Sequence, residues 1–278
     1  MYKPIFILGN PRSGTTLLRL LLTNHSEIVI APESSFLVWW FDKYKDWKSS
    51  DQETSIEGFL DDLLTSKKIE HWQLDRAALK RRILKANPAS YADLMQQVYL
   101  EYAFLKRTHI SFWGDKNNYY VKCPEKVAAI YPNAVFIHII RDVRDVICSY
   151  RDMNALKDVA YVPRLPQELK DMAQDWLDNN NNVLNFFESL SEGQSISVKY
   201  EDIVENTEKS ISTICDLLDI NFELSMLDYW KEENQKFFEP STFRSWKKRN
   251  FQKIDNSKIG RFQSELSSAE ITELNQMA

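Results

Sequence analysis

The chain has 278 residues, with 35 Lys plus Arg against 40 Asp plus Glu and a formal net charge of −5. That balance excludes a global positive field for nucleic acid, so any polyanion site has to be a local basic cluster. With 44% hydrophobic and 27% charged residues the composition is globular, and no apolar run approaches the length of a membrane helix.

Residues 4–9 read as a short apolar strand, with no basic or apolar leader before it, which predicts a cytoplasmic protein. The turn Gly9-Asn10-Pro11-Arg12-Ser13-Gly14 follows, then a helix over residues 15–24 whose leucines cover most of its surface. An almost wholly apolar helix directly after a strand predicts burial beside a parallel sheet. Residues 27–31 read as a second strand, closed by Pro32. Residues 36–106 read as mostly helical, with apolar stripes such as Ile56, Phe59, Leu60, Leu63 and Leu64. The tryptophans of this stretch (Trp39, Trp40, Trp47, Trp72) are expected to pack rather than to form a ligand box. Further strands are predicted at 110–113, 134–140 and 195–199, and helices at 120–131, 143–153, 167–190 and from about 207 onward. The asparagines at 179–182 read as the polar face of their helix. Residues 154–166 read as a mobile loop, and 237–263 as an extended basic segment lying over the domain.

Strands alternating with helices predict a central parallel sheet with right-handed crossovers. The expected fold is α/β: a P-loop-like three-layer fold with helices flanking the sheet, and one domain over 1–278. Residues 36–108 are expected to form a helical insertion on one side of the sheet. Cys123, Cys148 and Cys215 form no CxxC pair and read as reduced thiols. The four histidines show no HxxxH or HExxH spacing, so no metal site is expected, and His25 reads as structural. Oligomeric state leaves no trace in the sequence.

Two stretches carry chemistry. Gly9–Thr16 lies between a strand and a helix, the context in which backbone N–H groups and a helix N-terminus gather an anion. Ser13, Thr15 and Thr16 offer hydroxyls, and Arg12 a planar cation. The spacing is that of GxxxxGK(S/T), except that Thr15 stands in place of the lysine. That substitution argues against ATP or GTP hydrolysis. A simple capped turn would need one hydroxyl and no arginine. The second stretch ends an apolar strand with Arg141-Asp142, followed by Arg144, Asp145 and Ser149. The strand delivers Arg141 to the carboxyl edge of the sheet, where ligands bind in open α/β folds. Ser149, two helical turns on, can face the same crevice. The same residues also fit a plain helix start, with Asp142 and Asp145 at its positive end.

PRSGTT at 11–16, RDVRDVICSY at 141–150, VKYEDI at 198–203 and IGRF at 259–262 together resemble the sulfotransferases that use 3′-phosphoadenosine 5′-phosphosulfate (PAPS). The branch resembled is that of tyrosylprotein, glycan and bacterial sulfotransferases. The resemblance implies PAPS as co-substrate, 3′,5′-ADP as product and no metal. It implies that Arg12, Ser13, Gly14, Thr15 and Thr16 hold the 5′-phosphosulfate, and that Arg141 and Ser149 hold the 3′-phosphate. Tyr200 would lie near the adenosine, although Tyr200-Glu201-Asp202 reads equally as a strand end before a capped helix. Glu33 would be the base that deprotonates the acceptor, where the bare residues would also fit a helix cap. Lys116 would be a second cation near the transferred group, where a solvated loop lysine is the plain reading. Gly260 and Arg261, with the basic run 246–249, are candidates for further 3′-phosphate contacts. The chain lacks the first-loop lysine, catalytic histidine and RKG segment of the cytosolic small-molecule branch.

The expected reaction is in-line transfer of a sulfuryl group to an acceptor hydroxyl or amine on a sugar, peptide or small molecule, with no nucleic-acid partner. Two other readings stay open: a P-loop nucleotide or small-molecule kinase, which would need the missing lysine, and a nucleotide-binding protein without catalysis.

Overall fold

In the computed structural model, residues 2–48, 53–156, 161, 163–231 and 252–277 are described. Five strands form one parallel sheet: β1 (Lys3–Leu8), β2 (Ile28–Ala31), β3 (Phe112–Lys116), β4 (Val135–Ile140) and β5 (Ser195–Lys199). Their order is β2-β3-β1-β4-β5. Both faces of the sheet are covered, which is why β1, β2 and β4 read as continuous apolar runs. Phe6, Leu8, Val29, Trp113 and Phe136 point to one layer. Ile5, Ile7, Ile28, Ile30, Val135 and Ile137 point to the other, against α1 (Thr15–Thr23). This is the three-layer arrangement expected from the alternation of elements.

Between β2 and β3 run five helices of the first layer: α2 (Phe36–Trp39), α3 (Phe41–Tyr44), α4 (Glu53–Leu64), α5 (Arg76–Ala86) and α6 (Tyr91–Lys106). Trp72 and Trp47 are buried there, whereas Trp39 is 72% exposed and packs little. After β3 come α7 (Pro124–Ile130), then, beyond β4, α8 (Val143–Asn154) and α9 (Leu169–Phe187), and after β5 α10 (Tyr200–Glu205) and α11 (Thr207–Leu218). The chain closes with α12 (Phe262–Glu265) and α13 (Ser268–Met277), which pack on α8 and α9. Among the described residues, no helix is long and apolar enough to cross a membrane. The basic run 246–249, most of the 237–263 segment and part of the 154–166 loop lie outside the described residues.

Three elements differ from expectation, each for a local reason. Strand β3 covers 112–116 instead of 110–113, because the polar Asp115 and Lys116 are buried with partners on neighbouring elements. The helix expected at 120–131 is split into a 3₁₀ turn at Asn118–Lys122 and α7, with the break at Cys123. The ring of Pro124 disfavours helical geometry at the residue before it. The third difference concerns α9: Asn179 and Asn180 are buried rather than solvated. Asn179 Nδ2 donates to Asn10 Oδ1 at 2.8 Å, and Asn180 Oδ1 accepts from His138 Nε2 at 3.0 Å. Helical periodicity marks these positions as polar; only the packed sheet behind them supplies their partners.

Burial pushes the His138 imidazole down to about 4, so it is neutral at physiological pH and Nε2 carries its proton toward Asn180. Asn180→Ala leaves that buried N–H unsatisfied, and urea melts are expected to lose about 1–3 kcal/mol. The exposed neighbour Asn181, changed to Ala, should move stability by less than about 0.5 kcal/mol.

Candidate active site

Strand order decides what meets at the carboxyl edge. β1 pairs with β4 up to Leu8 opposite His138, so the loop after β1 lies beside the residues after β4. β2 pairs with β3 up to Ala31 opposite Asp115, so the segment after β2 lies beside the end of β3. A cavity of about 810 Å³ opens on this edge. Of the residues singled out from sequence, Arg12, Gly14, Thr15, Thr16, Glu33, Lys116, Arg141, Ser149, Tyr200 and Arg261 line it. Ser13 and Gly260 do not: Ser13 is wholly buried, with its N–H on Asn10 O at 3.1 Å, and the Gly260 N–H donates to Asp145 Oδ2 at 2.8 Å.

The loop after β1 is shaped for close approach. Arg12 and Gly14 both have left-handed backbones, with φ of 71° and 93°. A Cβ at Gly14 would lie 2.4 Å from Cδ2 of Tyr200, so only glycine lets that ring rest on the loop. α1 starts directly behind, with no acidic side chain in its first turn, and its positive end faces the cavity through Gly14, Thr15 and Thr16. Thr15 Oγ1 donates to Asn118 Oδ1 at 3.1 Å. Below the loop a buried network fixes its shape. Asn10 Nδ2 donates to the Tyr150 hydroxyl at 3.0 Å, and that hydroxyl and Asn179 Nδ2 each donate to Asp175 Oδ2 at 3.1 Å.

The two motifs touch. Arg12 Nε donates to Ser149 Oγ at 3.0 Å, and Arg141 Nη1 donates to the Arg12 carbonyl at 3.1 Å. Arg141 Nη2 reaches the Lys258 carbonyl at 2.6 Å, and its guanidinium lies 4.4 Å from the centre of the Tyr200 ring. Asp142 caps α8 by accepting from Arg144 N at 2.8 Å, so the helix-start reading of this stretch holds alongside the crevice reading. Burial, then the charge of Arg141, lowers the Arg12 guanidinium to about 10. It stays charged at neutral pH, in a place that disfavours positive charge and that an anion would relieve. Asp145 accepts from Gly260 N and from Phe262 N at 3.1 Å, pinning the IGRF stretch to α8, and Arg261 pairs with Asp152 at 2.7 Å.

On the β2–β3 side, Glu33 takes one ammonium on each oxygen: Lys68 Nζ at 2.6 Å and Lys116 Nζ at 3.0 Å. Beside it, Asp115 is fully buried, and its Oδ2 accepts the hydroxyls of Tyr99 at 2.7 Å and Tyr120 at 2.5 Å. Lys68 and Asn118 were not singled out from sequence; neither belongs to a motif, and only the fold brings them to the cavity. His25 is buried and does not line it; its Nε2 contacts Asn221 O at 3.0 Å.

The sheet, the loop–helix cradle and the arginine-bearing helix start beside it define an α/β protein of the P-loop-like class. A profile of the sulfotransferase family matches residues 4–223, and the chain belongs to that family. It is 26% identical over 229 residues to a Caenorhabditis briggsae protein provisionally named a protein-tyrosine sulfotransferase, covering 81% of this chain and 68% of that one. It is 22% identical over 234 residues to protein-tyrosine sulfotransferase 2 of Gallus gallus, covering 81% of this chain but only 53% of the chicken protein. Among solved structures, the sulfotransferase domain from the curacin biosynthetic pathway matches with a TM-score of 0.63 at 21% identity, covering 99% of this chain and 97% of that one. A mouse sulfotransferase complexed with PAP matches with a TM-score of 0.51 at 14% identity, covering 99% and 82%.

Burial pushes the Asp115 carboxyl up to about 7, against an ordinary value near 4 in the unfolded chain. Between those values the folded protein holds a proton that the unfolded chain has lost, so stability falls as pH rises through this window and levels off above it. In Asp115→Asn that decline disappears. Thermal melts of the variant and of the wild type should therefore diverge from pH 4 to pH 7, with the variant gaining relative stability; parallel curves would contradict the assignment.

Proposed function

We propose that this protein transfers a sulfuryl group from PAPS to an acceptor hydroxyl or amine, with Glu33 as base. The observation that carries the reading is the contact between the two motifs: Arg12 and Arg141 line one cavity and are bonded to each other's stretches. Two cationic cradles in one crevice suit a nucleotide that carries an anion at each end. Further support comes from the cavity volume and from Tyr200, whose ring lies against both Gly14 and Arg141 and offers a face to an adenine. The mouse relative of this fold was solved with PAP.

In this reading the Gly14–Thr16 end of α1 holds the 5′-phosphosulfate, and Arg141 with Ser149 the 3′-phosphate. Arg261 and the backbone near Gly260 bound the 3′ side, and Ser13 supports the loop from within. The acceptor oxygen attacks sulfur while its proton passes to Glu33. The bond from sulfur to the oxygen bridging the 5′-phosphate breaks, and Arg12 and Lys116 offset the charge that grows on that oxygen. Most of the acceleration then comes from placement and fixed charge. The named relatives, protein-tyrosine sulfotransferases, support a hydroxyl acceptor on a peptide; a sugar or small molecule fits the same chemistry.

The test is transfer of labelled sulfuryl from PAPS to a metabolite and peptide extract, with mass detection of the product. Transfer is expected with EDTA present. Glu33→Gln should keep PAP affinity and lose about 10²–10⁴ in turnover. Mg²⁺-dependent ATP turnover with no transfer from PAPS would favour a kinase, and full activity in Glu33→Gln would remove the base.

A further inference from the structure

Glu33 is gripped by two elements at once. Lys116, at the end of β3, holds Oε2, and Lys68, in the turn between α4 and the 3₁₀ helix Ile69–Trp72, holds Oε1. The same two elements hold the two serines that follow it. Asn117 Nδ2 donates to Ser34 O and to Ser35 Oγ, both at 3.2 Å, while Ser34 Oγ donates to Lys67 O at 3.1 Å. Lys68 itself has φ of 71°, a left-handed conformation unusual for a long side chain. Its turn is fixed by Ile69 N–H on Ser66 O, by His71 N–H on Lys68 O, and by Trp40 Nε1–H on Ser66 Oγ at 2.8 Å. Strain of this kind persists only where the surroundings impose it. Here the outcome is an ammonium set 2.6 Å from the proposed base, with a side chain only 16% exposed.

We propose that Lys68 is a positioning residue for sulfuryl transfer: it keeps Glu33 ionised and aimed when Lys116 turns to the donor. The inference rests on Glu33 being the base. In that reading Lys116 has two anions to serve, Glu33 before donor binding and the bridging oxygen during transfer, and one ammonium cannot hold both at full strength. An enclosed carboxylate left without counter-charge takes up a proton and ceases to be a base. Lys68 holds the other oxygen of Glu33 and acts only through that carboxylate, so it can stay in place throughout. Charged groups facing Glu33 include Lys68 from the α4 turn, Lys116 from β3, and the Asp115 carboxyl behind β3, which feels the charge of Glu33.

The test follows the glutamate carboxyl ¹³C signal of Glu33, assigned by its loss in Glu33→Gln, over a pH series in the free protein and with PAP. In Lys68→Met the midpoint should rise by about 1–3 pH units, and Lys68→Arg should restore it. Turnover in Lys68→Met should fall about 10–100-fold through kcat, with PAP affinity unchanged. Lys68→Gln, which keeps a polar stem without charge, serves the same purpose if the Met variant does not fold. A midpoint that stays put in a protein that binds PAP overturns the inference alone. Loss of PAP affinity matching the loss of turnover would also overturn it, by making Lys68 a donor ligand. A wild type that does not bind PAP overturns the donor reading beneath it.

Discussion

The site depends on one contact, the hydrogen bond from Arg141 to the carbonyl of Arg12. The two residues are far apart in the chain. They meet because β1 and β4 are paired parallel neighbours, with Leu8 opposite His138, so both following turns open on one edge. That placement forces two guanidinium groups together in an enclosed wall, and the lowered Arg12 is the electrostatic trace of it. Arg141 keeps Asp145 at 4.0 Å, and an anion joining the two guanidinium groups would offset their mutual repulsion further. The chain as a whole is acidic, so the local excess is a product of the fold and not of composition.

The other half of the edge follows the same topological rule. β2 and β3 end side by side, and the pair of half-buried Glu33 with buried Lys116 forms where they do. Polar groups at such depth call for partners: Asp115 Oδ2 takes two tyrosine hydroxyls, and Asn10 sits in a network with Tyr150, Asp175 and Asn179. These networks are worth more in fixing a shape than in net stability, since a buried polar group is expensive once a partner is lost. The phosphate-type loop is accordingly held from beneath by side chains of α8 and α9, while its upper surface meets the cavity.

How much of this was legible in the sequence varies with the kind of signal. Apolar strands followed by turns gave the sheet, because parallel strands buried on both faces leave continuous runs such as Ile5–Leu8. Arg12, Gly14, Arg141 and Ser149 could be found because the loop and helix start have a local spacing that anion chemistry demands. Lys68 could not: its bond to Glu33 depends on a left-handed turn and on the helices between β2 and β3 folding back over that residue, and nothing near it in sequence encodes either. The asparagines of α9 read as surface in the sequence for the same reason, since a polar residue on a helix declares its chemistry but not its partner. The break before α7 was readable from Pro124 alone, and the extension of β3 through Asp115 was hidden by charges that only tertiary partners neutralise.

The most direct measurement is calorimetric titration of the wild type and of Arg141→Met with 3′,5′-ADP (PAP) and with adenosine 5′-monophosphate, which lacks the 3′-phosphate. If the two cradles share one nucleotide, the wild type should prefer 3′,5′-ADP by about 10–100-fold, the worth of a charge-assisted contact, and Arg141→Met should lose most of that preference. Equal affinity for the two nucleotides in the wild type, or a preference that survives in Arg141→Met, would contradict the account.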